Sequence, residues 1–189
     1  MEAQPERVAA AKPKRRWFQF SLATLLLLTL VCAVLLALFV VPAERQRRSA
    51  AFIESLGGYV QYSDEGDKAA LAPAWLREWL GQDHFQSVRA VDLSETHISD
   101  AGLAHLKGLT ALKRLDLGAT QVSDAGMEHL RGLTGLKVLY LGDTQVSDAG
   151  LSHLHELTTL EELYLIDTPV SDAGTADLRA ALPNCLIVH

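Results

Sequence analysis

The chain is poor in cysteine, since only two of its 189 residues are cysteines, Cys32 and Cys185. Cys32 lies within an apolar run and Cys185 lies far from it near the end of the sequence, so a disulfide between them is not expected. We therefore expect no disulfide to cross-link the fold, and the cysteines do not indicate the redox compartment of the protein.

The familiar signatures of catalysis are missing as well. The sequence contains no G-x-S-x-G, H-E-x-x-H, P-loop or dinucleotide-binding fingerprint. Its carboxylates recur at fixed repeat positions, which is typical of helix caps and solvated faces. We therefore expect no enzymatic activity, and we predict no catalytic, cofactor-binding or metal-binding residues.

Positive charge is scarce beyond the first quarter of the chain. Residues 1–48 carry eight Lys/Arg and three Asp/Glu, a net +5. Residues 49–189 carry nine Lys/Arg and twenty Asp/Glu, a net −11. Because an acidic domain repels phosphates, we expect no binding of nucleic acid.

Charge of either sign is absent from residues 17–43. As a helix, the core of this stretch at residues 20–41 would be roughly 33 Å long, enough to cross the hydrocarbon core of a membrane. Trp17 and Phe18 lie where aromatic residues anchor a span at the interface. We interpret the stretch as an uncleaved transmembrane signal anchor. The alternative is a cleaved signal peptide, although such peptides have apolar regions of only about 7–15 residues.

The distribution of basic residues predicts the orientation of this span. Five Lys/Arg precede it and three follow it: Arg7, Lys12, Lys14, Arg15 and Arg16, then Arg45, Arg47 and Arg48. This bias favours the N-terminus in the cytoplasm and places the acidic domain on the other side of the membrane.

A 24-residue unit then repeats almost letter for letter at residues 98–121, 122–145 and 146–169. The first two units share 16 of 24 residues, and residues 82–97 form a degenerate earlier unit. A fixed period of this length indicates a solenoid, in which each coil buries its apolar face against its neighbours.

Each unit has a strand half and a helix half. The pattern Leu-x-x-Leu-x-Leu-x-x-Thr predicts a short strand, and stacked strands would form a parallel sheet. The pattern Ser-Asp-Ala-Gly-Leu-x-His-Leu predicts a helix with serine as its N-cap and aspartate near the positive end of its dipole. Gly108 and Gly132 are predicted to end their helices in a left-handed conformation. Glu156 stands at the same position in the next unit, so its turn is expected to differ.

The segment before the repeats is predicted to cap the array. We expect a helix at residues 44–56 ended by Gly57 and Gly58, a strand at residues 59–62, a loop at residues 63–68 and a short helix at residues 73–80.

The units resemble leucine-rich repeats, in the variant whose consensus begins Ile/Val-Ser/Thr-Asp-Ala-Gly-Leu. The ending Leu-Pro-Asn-Cys-Leu-Ile-Val at residues 182–188 is similar to a closing repeat, and Arg-Arg-Trp-Phe-Gln-Phe-Ser-Leu-Ala-Thr-Leu-Leu at residues 15–26 resembles the leader of bacterial membrane-anchored repeat proteins. The resemblance implies an α/β solenoid, with a curved parallel sheet, helices on its convex side and a role in protein binding.

These patterns divide the chain into four parts. They are a basic segment at residues 1–16, a transmembrane anchor at 17–43, a juxtamembrane helix and N-terminal cap at 44–81, and the repeats with a C-terminal cap at 82–189.

Two columns of polar residues recur from unit to unit. His105, His129 and His153 adjoin core leucines, so partly buried packing explains them better than a metal site or a pH sensor. The threonines stand where leucine-rich repeats usually place asparagine, and we expect their hydroxyls to bond to backbone groups of the adjacent coil: Thr96, Thr120, Thr144 and Thr168.

The strand positions that face away from the core are the best candidates for recognition. The candidate protein-binding residues are Asp92, Arg114, Asp116, Val138, Tyr140, Glu162, Tyr164 and Ile166, with Ala90, Ser94, Gly118 and Gly142 between them. Tyr140 and Tyr164 would stand side by side on strands about 4.8 Å apart. Exposed aromatic residues with a polar rim are typical of an interface, but strands also tolerate tyrosine without any function.

The sequence therefore predicts a membrane-anchored, non-catalytic module that binds an unidentified protein partner, or another ligand, through its sheet. The alternatives are a structural subunit of an envelope complex, or an enzyme with an unrecognised site.

Overall fold

The computed structural model describes residues 22–35, 37, 40–63, 78 and 86–189. The chain divides into two compact units, residues 1–34 and residues 35–189. The predicted helix at residues 73–80, apart from Glu78, and the predicted loop at residues 63–68, apart from Ser63, lie outside the described residues.

The described residues of the first unit form helix α1, Leu22–Leu35, whose last residue falls in the second unit. It carries no charge, and none of its residues is buried. The predicted span at residues 17–43 is described only in part, because residues 17–21, 36, 38 and 39 lie outside the description. Within the described part of the chain, no helix combines the length and the apolar character that a membrane crossing requires.

The second unit opens with helix α2, Val41–Ser55, and strand β1, Tyr59–Ser63. Pro42 suits the first turn of α2, where a backbone N–H would have no partner within the helix. Gly57 ends the helix with a φ of 84°. Ile53 is fully buried in the core that α2 shares with the repeats. The predicted helix and strand are confirmed, with α2 beginning three residues earlier than expected.

Among the described residues, six strands form one sheet in the order of the sequence. Strand β1 pairs antiparallel with β2, and each later pair of neighbours is parallel. The strands after β1 are β2 Ser87–Asp92, β3 Arg114–Asp116, β4 Val138–Tyr140, β5 Glu162–Tyr164 and β6 Leu186–Val188. The predicted parallel sheet is confirmed, and β1 and β6 extend it beyond the regular units.

The core is a ladder of aliphatic side chains that the register keeps aligned. Leu115, Leu139 and Leu163 are opposite one another on adjacent strands, and all three are fully buried. Val91 and Ile187 continue the row at its two ends. Each coil thus adds the same apolar layer to the stack, which is how a 24-residue unit gains a core that it could not form alone.

The helix half of each unit is shorter than the sequence predicts. One α-helical turn is followed by one 3₁₀ turn: α3 Asp100–Leu103 with Ala104–Leu106, α4 Asp124–Met127 with Glu128–Leu130, and α5 Asp148–Leu151 with Ser152–Leu154. The unit is short, so the chain must tighten and turn back toward the next strand after about two turns. Among the units whose helix half is described, only the closing one continues into a longer helix, α6 Asp172–Ala181.

The turns after these helices correct a second prediction. Gly108 has the expected left-handed conformation, with a φ of 97°. Gly132 does not, because the chain stays right-handed through Arg131, which has a φ of −52°. His155, just before Glu156, has a φ of −55°. The second and third units therefore share one turn, which needs no glycine, and the first unit differs instead.

The threonine column also bonds differently from the prediction. Each hydroxyl donates to the carbonyl three residues earlier in its own coil, at 2.6–2.7 Å, as in Thr120 to Leu117 and Thr144 to Leu141. The threonine hydroxyl has less reach than an asparagine amide, so it closes a local turn and does not cross to the neighbouring coil.

Adjacent coils are joined on the helix side by a repeated aspartate–serine contact, here termed the Asp–Ser clamp. The carboxylate of Asp124 accepts bonds from the backbone N and the Oγ of Ser147, at 2.7 and 2.6 Å, and from the backbone N of Gly150 at 3.0 Å. The pairs Asp100–Ser123 and Asp148–Ser171 repeat the first two bonds.

The clamp explains why the third residue after Ser123, Ser147 and Ser171 is glycine. A Cβ on Gly150 would lie 2.5 Å from Oδ1 of Asp124, closer than such atoms can approach. The serines were predicted as N-caps, and Ser147 and Ser171 do accept helix N–H groups, whereas Ser99 and Ser123 accept none. The sequence motif Ser-Asp-Ala-Gly therefore links coils more than it caps helices.

Replacement of Asp124 by alanine tests the clamp. We expect Asp124→Ala to lower the free energy of unfolding by ~2 kcal/mol, because it removes three hydrogen bonds to a charged group. Asp172→Ala is the matched control, since Asp172 holds the same repeat position but its carboxylate is fully exposed. Its effect should stay within ~0.5 kcal/mol. Equal losses in urea unfolding of the two variants would contradict the clamp.

Candidate functional site

The predicted recognition residues lie on the side of the sheet that faces away from the core, here termed the strand face. Two rows cross it in register. The first contains Ala90, Arg114, Val138, Glu162 and Leu186, and the second contains Asp92, Asp116, Tyr140, Tyr164 and Val188. Ser94, Gly118, Gly142 and Ile166 follow at the ends of their strands.

Three side chains stack at the centre of the strand face. The rings of Tyr140 and Tyr164 are parallel within 2°, with their centroids 4.5 Å apart. The guanidinium of Arg114 lies over the Tyr140 ring, 4.6 Å from its centroid. The side-by-side arrangement expected from the sequence is therefore present. Because a cation over an aromatic ring and an aromatic pair are each favourable, the stack holds its members in defined positions before any partner arrives.

Glu162 fixes the outer end of this stack. The hydroxyl of Tyr164 donates to Oε2 of Glu162 at 3.0 Å. That hydrogen bond, with some loss of solvation, raises the pKa of Tyr164 above its ordinary value of 10.0. The phenol therefore stays neutral and remains a hydrogen-bond donor at physiological pH.

The carboxylates of the strand face are held by their own turns. Oδ1 of Asp92 accepts bonds from the backbone N and the Oγ of Ser94, at 3.0 and 2.6 Å. Oδ1 of Asp116 accepts the backbone N of Gly118 at 3.0 Å. In each case one carboxylate oxygen accepts hydrogen bonds from its own turn. These bonds fix the orientation of the carboxylate and keep its charge at the surface.

The cap strands add residues that sequence reasoning did not assign to this surface. Strand β1 contributes Tyr59, which is 68% exposed opposite Asp92, and β6 contributes Leu186, which is 59% exposed. Ile166 is also exposed, at 52%. The alternation of residues 59–62 predicted a strand. It did not predict that this strand joins the sheet, because the antiparallel pairing of β1 with β2 is not part of the 24-residue repeat.

Cys185 lies beside the strand face but is a poor nucleophile. Burial and the nearby charge of Glu162 raise the pKa of its thiol to about 11. The reactive thiolate is therefore scarce at neutral pH. The strand face offers aromatic, acidic and guanidinium groups suited to binding, and this thiol does not change that character.

The histidine column lies on the helix side of the coils, opposite the strand face. The ring of His105 stacks on Phe52 of α2, with centroids 4.0 Å apart, and its backbone carbonyl accepts Oγ of Ser49 at 2.6 Å. In the described part of the chain, no three His, Cys, Asp or Glu side chains converge in a way that could hold a metal ion. The packing role expected for His105 is seen in this contact.

A cleft of about 290 Å³ lies beside that contact, between α2 and the first regular unit. Its lining includes Phe52, Leu56, Ile98 and Gly102, with His97 and His105 at its polar positions. No sequence pattern predicted this cleft, because it depends on how α2 docks against the repeats.

Comparison with known families supports the identity of the units. A family model described as "Leucine Rich repeat" matches residues 85–106, which run from the degenerate unit into the first regular one. The stacked strands, the aliphatic ladder and the period agree with this match. The chain therefore carries leucine-rich repeats. Proteins of this family are generally binding modules without catalytic activity, and the fold accordingly suggests a protein–protein interaction module.

Solved leucine-rich-repeat structures resemble parts of the chain. One is a repeat protein of Leptospira interrogans, 23% identical with a TM-score of 0.38, in a match that covers 46% of this chain and 21% of that protein. Another is an internalin of Listeria monocytogenes, 21% identical with a TM-score of 0.38, covering 53% of this chain and 34% of that protein. The matches thus span only about a fifth and about a third of these two proteins. A search of curated proteins finds no match.

Proposed function

We propose that this leucine-rich-repeat protein is a non-catalytic module that binds a protein partner through its strand face while anchored in a membrane. The observation that carries the binding proposal is the central stack of Arg114, Tyr140 and Tyr164 with Glu162 beside it. Aromatic and arginine side chains held in fixed positions are the groups that dominate protein interfaces.

The surroundings of the stack support a protein partner over a small ligand. The strand face is an open surface that extends over six strands, with Ile166 and Leu186 exposed beside the tyrosines. An exposed apolar patch with a charged rim suits a macromolecular interface, whereas small-molecule sites are enclosed. The carboxylates of the same face disfavour nucleic acid.

The membrane proposal is supported by residues 17–43, which lack charge and follow the basic segment at residues 1–16. Helix α1 is consistent with it, because its leucines are exposed: Leu22 is 75% exposed and Leu27 is 62% exposed. Such a surface is stable against lipid and unfavourable in water. In this proposal the N-terminus is cytoplasmic and the repeats lie on the other side of the membrane.

An alanine scan tests the binding surface. We expect Tyr140→Ala and Tyr164→Ala each to weaken binding of a captured protein partner by ~2 kcal/mol or more, because each truncation removes an aromatic anchor and exposes the other ring. Glu128→Ala and Ser152→Ala on the helix side are the controls, and both should leave the affinity within ~0.5 kcal/mol. Equal losses on both sides of the coil, or losses only at Glu128 and Ser152, would remove the case for the strand face.

A wash of isolated membranes tests the anchor. The full-length protein should stay with the membrane fraction in high salt and at alkaline pH, because a hydrophobic span is not held by screened charges. As a control, a variant with two leucines of α1 replaced by aspartate, Leu26→Asp with Leu30→Asp, should be released into the soluble fraction. Recovery of a soluble product beginning near Glu44 would show a cleaved signal peptide in place of an anchor.

A further inference from the structure

The charges around the strand face are mostly negative. Six carboxylates lie on the strands or in the turns at their carboxyl ends: Asp92, Glu95, Asp116, Asp143, Glu162 and Asp167. Two guanidiniums oppose them, those of Arg89 and Arg114, so the formal net charge is −4. None of the six takes part in the ion pairs formed between described residues. The cations Lys113 and Lys137 lie at the opposite, amino edge of the sheet, where Lys137 pairs with Glu161.

The strand face also has an acidic half and an aromatic half. Strands β2 and β3 contribute Asp92 and Asp116, and strands β4 and β5 contribute Tyr140 and Tyr164 in the same row. Asp92 and Tyr164 are therefore three strands apart, about 14 Å at the usual strand spacing. An extended chain laid across the strands covers that distance in about four residues.

Arg114 marks the boundary between the two halves and limits what can bind there. Its guanidinium covers one face of the Tyr140 ring, and Tyr164 covers the other. A cation from a partner is therefore directed away from Tyr140 and toward Asp92 and Asp116. An apolar side chain finds its contacts on the other side, at Tyr164 and Ile166, which is 52% exposed.

We propose that the strand face binds an extended segment of a partner protein in which a lysine or arginine and a large apolar side chain lie about four residues apart. The basic group pairs with Asp92 and Asp116, and the apolar group packs against Tyr164 and Ile166. This inference rests on the proposed function and adds the chemistry of the partner. Complementary charge at such a surface speeds association and rejects acidic segments.

Defined peptides test this chemistry with the full-length chain in detergent micelles. The probe is a labelled Gly/Ser peptide of eleven residues that carries Lys-Arg and, four residues later, tryptophan. Two matched peptides carry Gln-Gln or Glu-Glu in place of Lys-Arg. Fluorescence anisotropy should show the basic peptide binding about tenfold more tightly than the neutral one and weakening as salt is added, with the acidic peptide weakest. Neutral or acidic peptides that bind as tightly as the basic one would overturn the proposal, and so would no binding of any at about 1 mM.

Paired variants localise the charge effect. Asp92→Asn with Asp116→Asn keeps the Oδ1 acceptors that the turns use and removes two charges, so binding of the basic peptide should fall about tenfold. Glu128→Gln with Asp177→Asn removes two charges from the helix side and should change binding less than about twofold. Equal losses in the two double variants would overturn the assignment to the strand face.

A captured protein partner separates this inference from the proposed function. If its binding depends on Tyr140 and Tyr164 but is unchanged by Asp92→Asn with Asp116→Asn, the basic chemistry is wrong and the proposed function stands. If its binding is indifferent to both sets of variants, the proposed function fails and the inference fails with it.

Discussion

The Asp–Ser clamp is the contact on which the rest of this solenoid depends. The aliphatic ladder supplies most of the driving force for stacking, but apolar contacts alone tolerate small shifts between coils. The clamp tolerates no such shift, because each of its carboxylates accepts hydrogen bonds from a hydroxyl and a backbone N–H of the next coil. The carboxylates are those of Asp100, Asp124 and Asp148. Hydrogen bonds from the Oγ and the backbone N of Ser171 lower the pKa of Asp148. The helix side therefore fixes the spacing and rotation of successive coils.

That fixed spacing is what makes a composite surface possible on the strand face. The tyrosine stack combines residues of two coils, and Arg114 comes from a third. A shift of one coil would separate the rings and turn the guanidinium away. The positions that hold the coils together, the leucines, serines, aspartates and glycines, point inward or along the helix side. The outward strand positions carry no part of this structural role, so they differ between units and can serve recognition.

The sequence predicts most of this architecture because the fold is periodic. Repeat length, strand positions, buried leucines and the neighbouring tyrosines all follow from a pattern that each coil repeats. The features that it missed depend on contacts between coils or on local backbone geometry. The role of Asp124 as a clamp requires the distance between two helices, and the alternate turn at Gly132 requires the backbone conformation of Arg131. The contribution of Tyr59 to the strand face requires the antiparallel docking of β1. The anchor at residues 17–43 stays a prediction, and so does the binding role of the strand face.

Amide hydrogen exchange measures the central claim most directly. In the native protein the backbone N–H groups of Ser123, Ser147 and Ser171 donate to aspartates of the preceding coil, so we expect all three to be protected. In Asp124→Ala the protection of Ser147 should be lost while that of Ser123 and Ser171 persists, because each clamp joins only two coils. Rapid exchange of all three amides in the native protein, or unchanged protection of Ser147 in the variant, would contradict the clamp as the contact that sets the register of the coils.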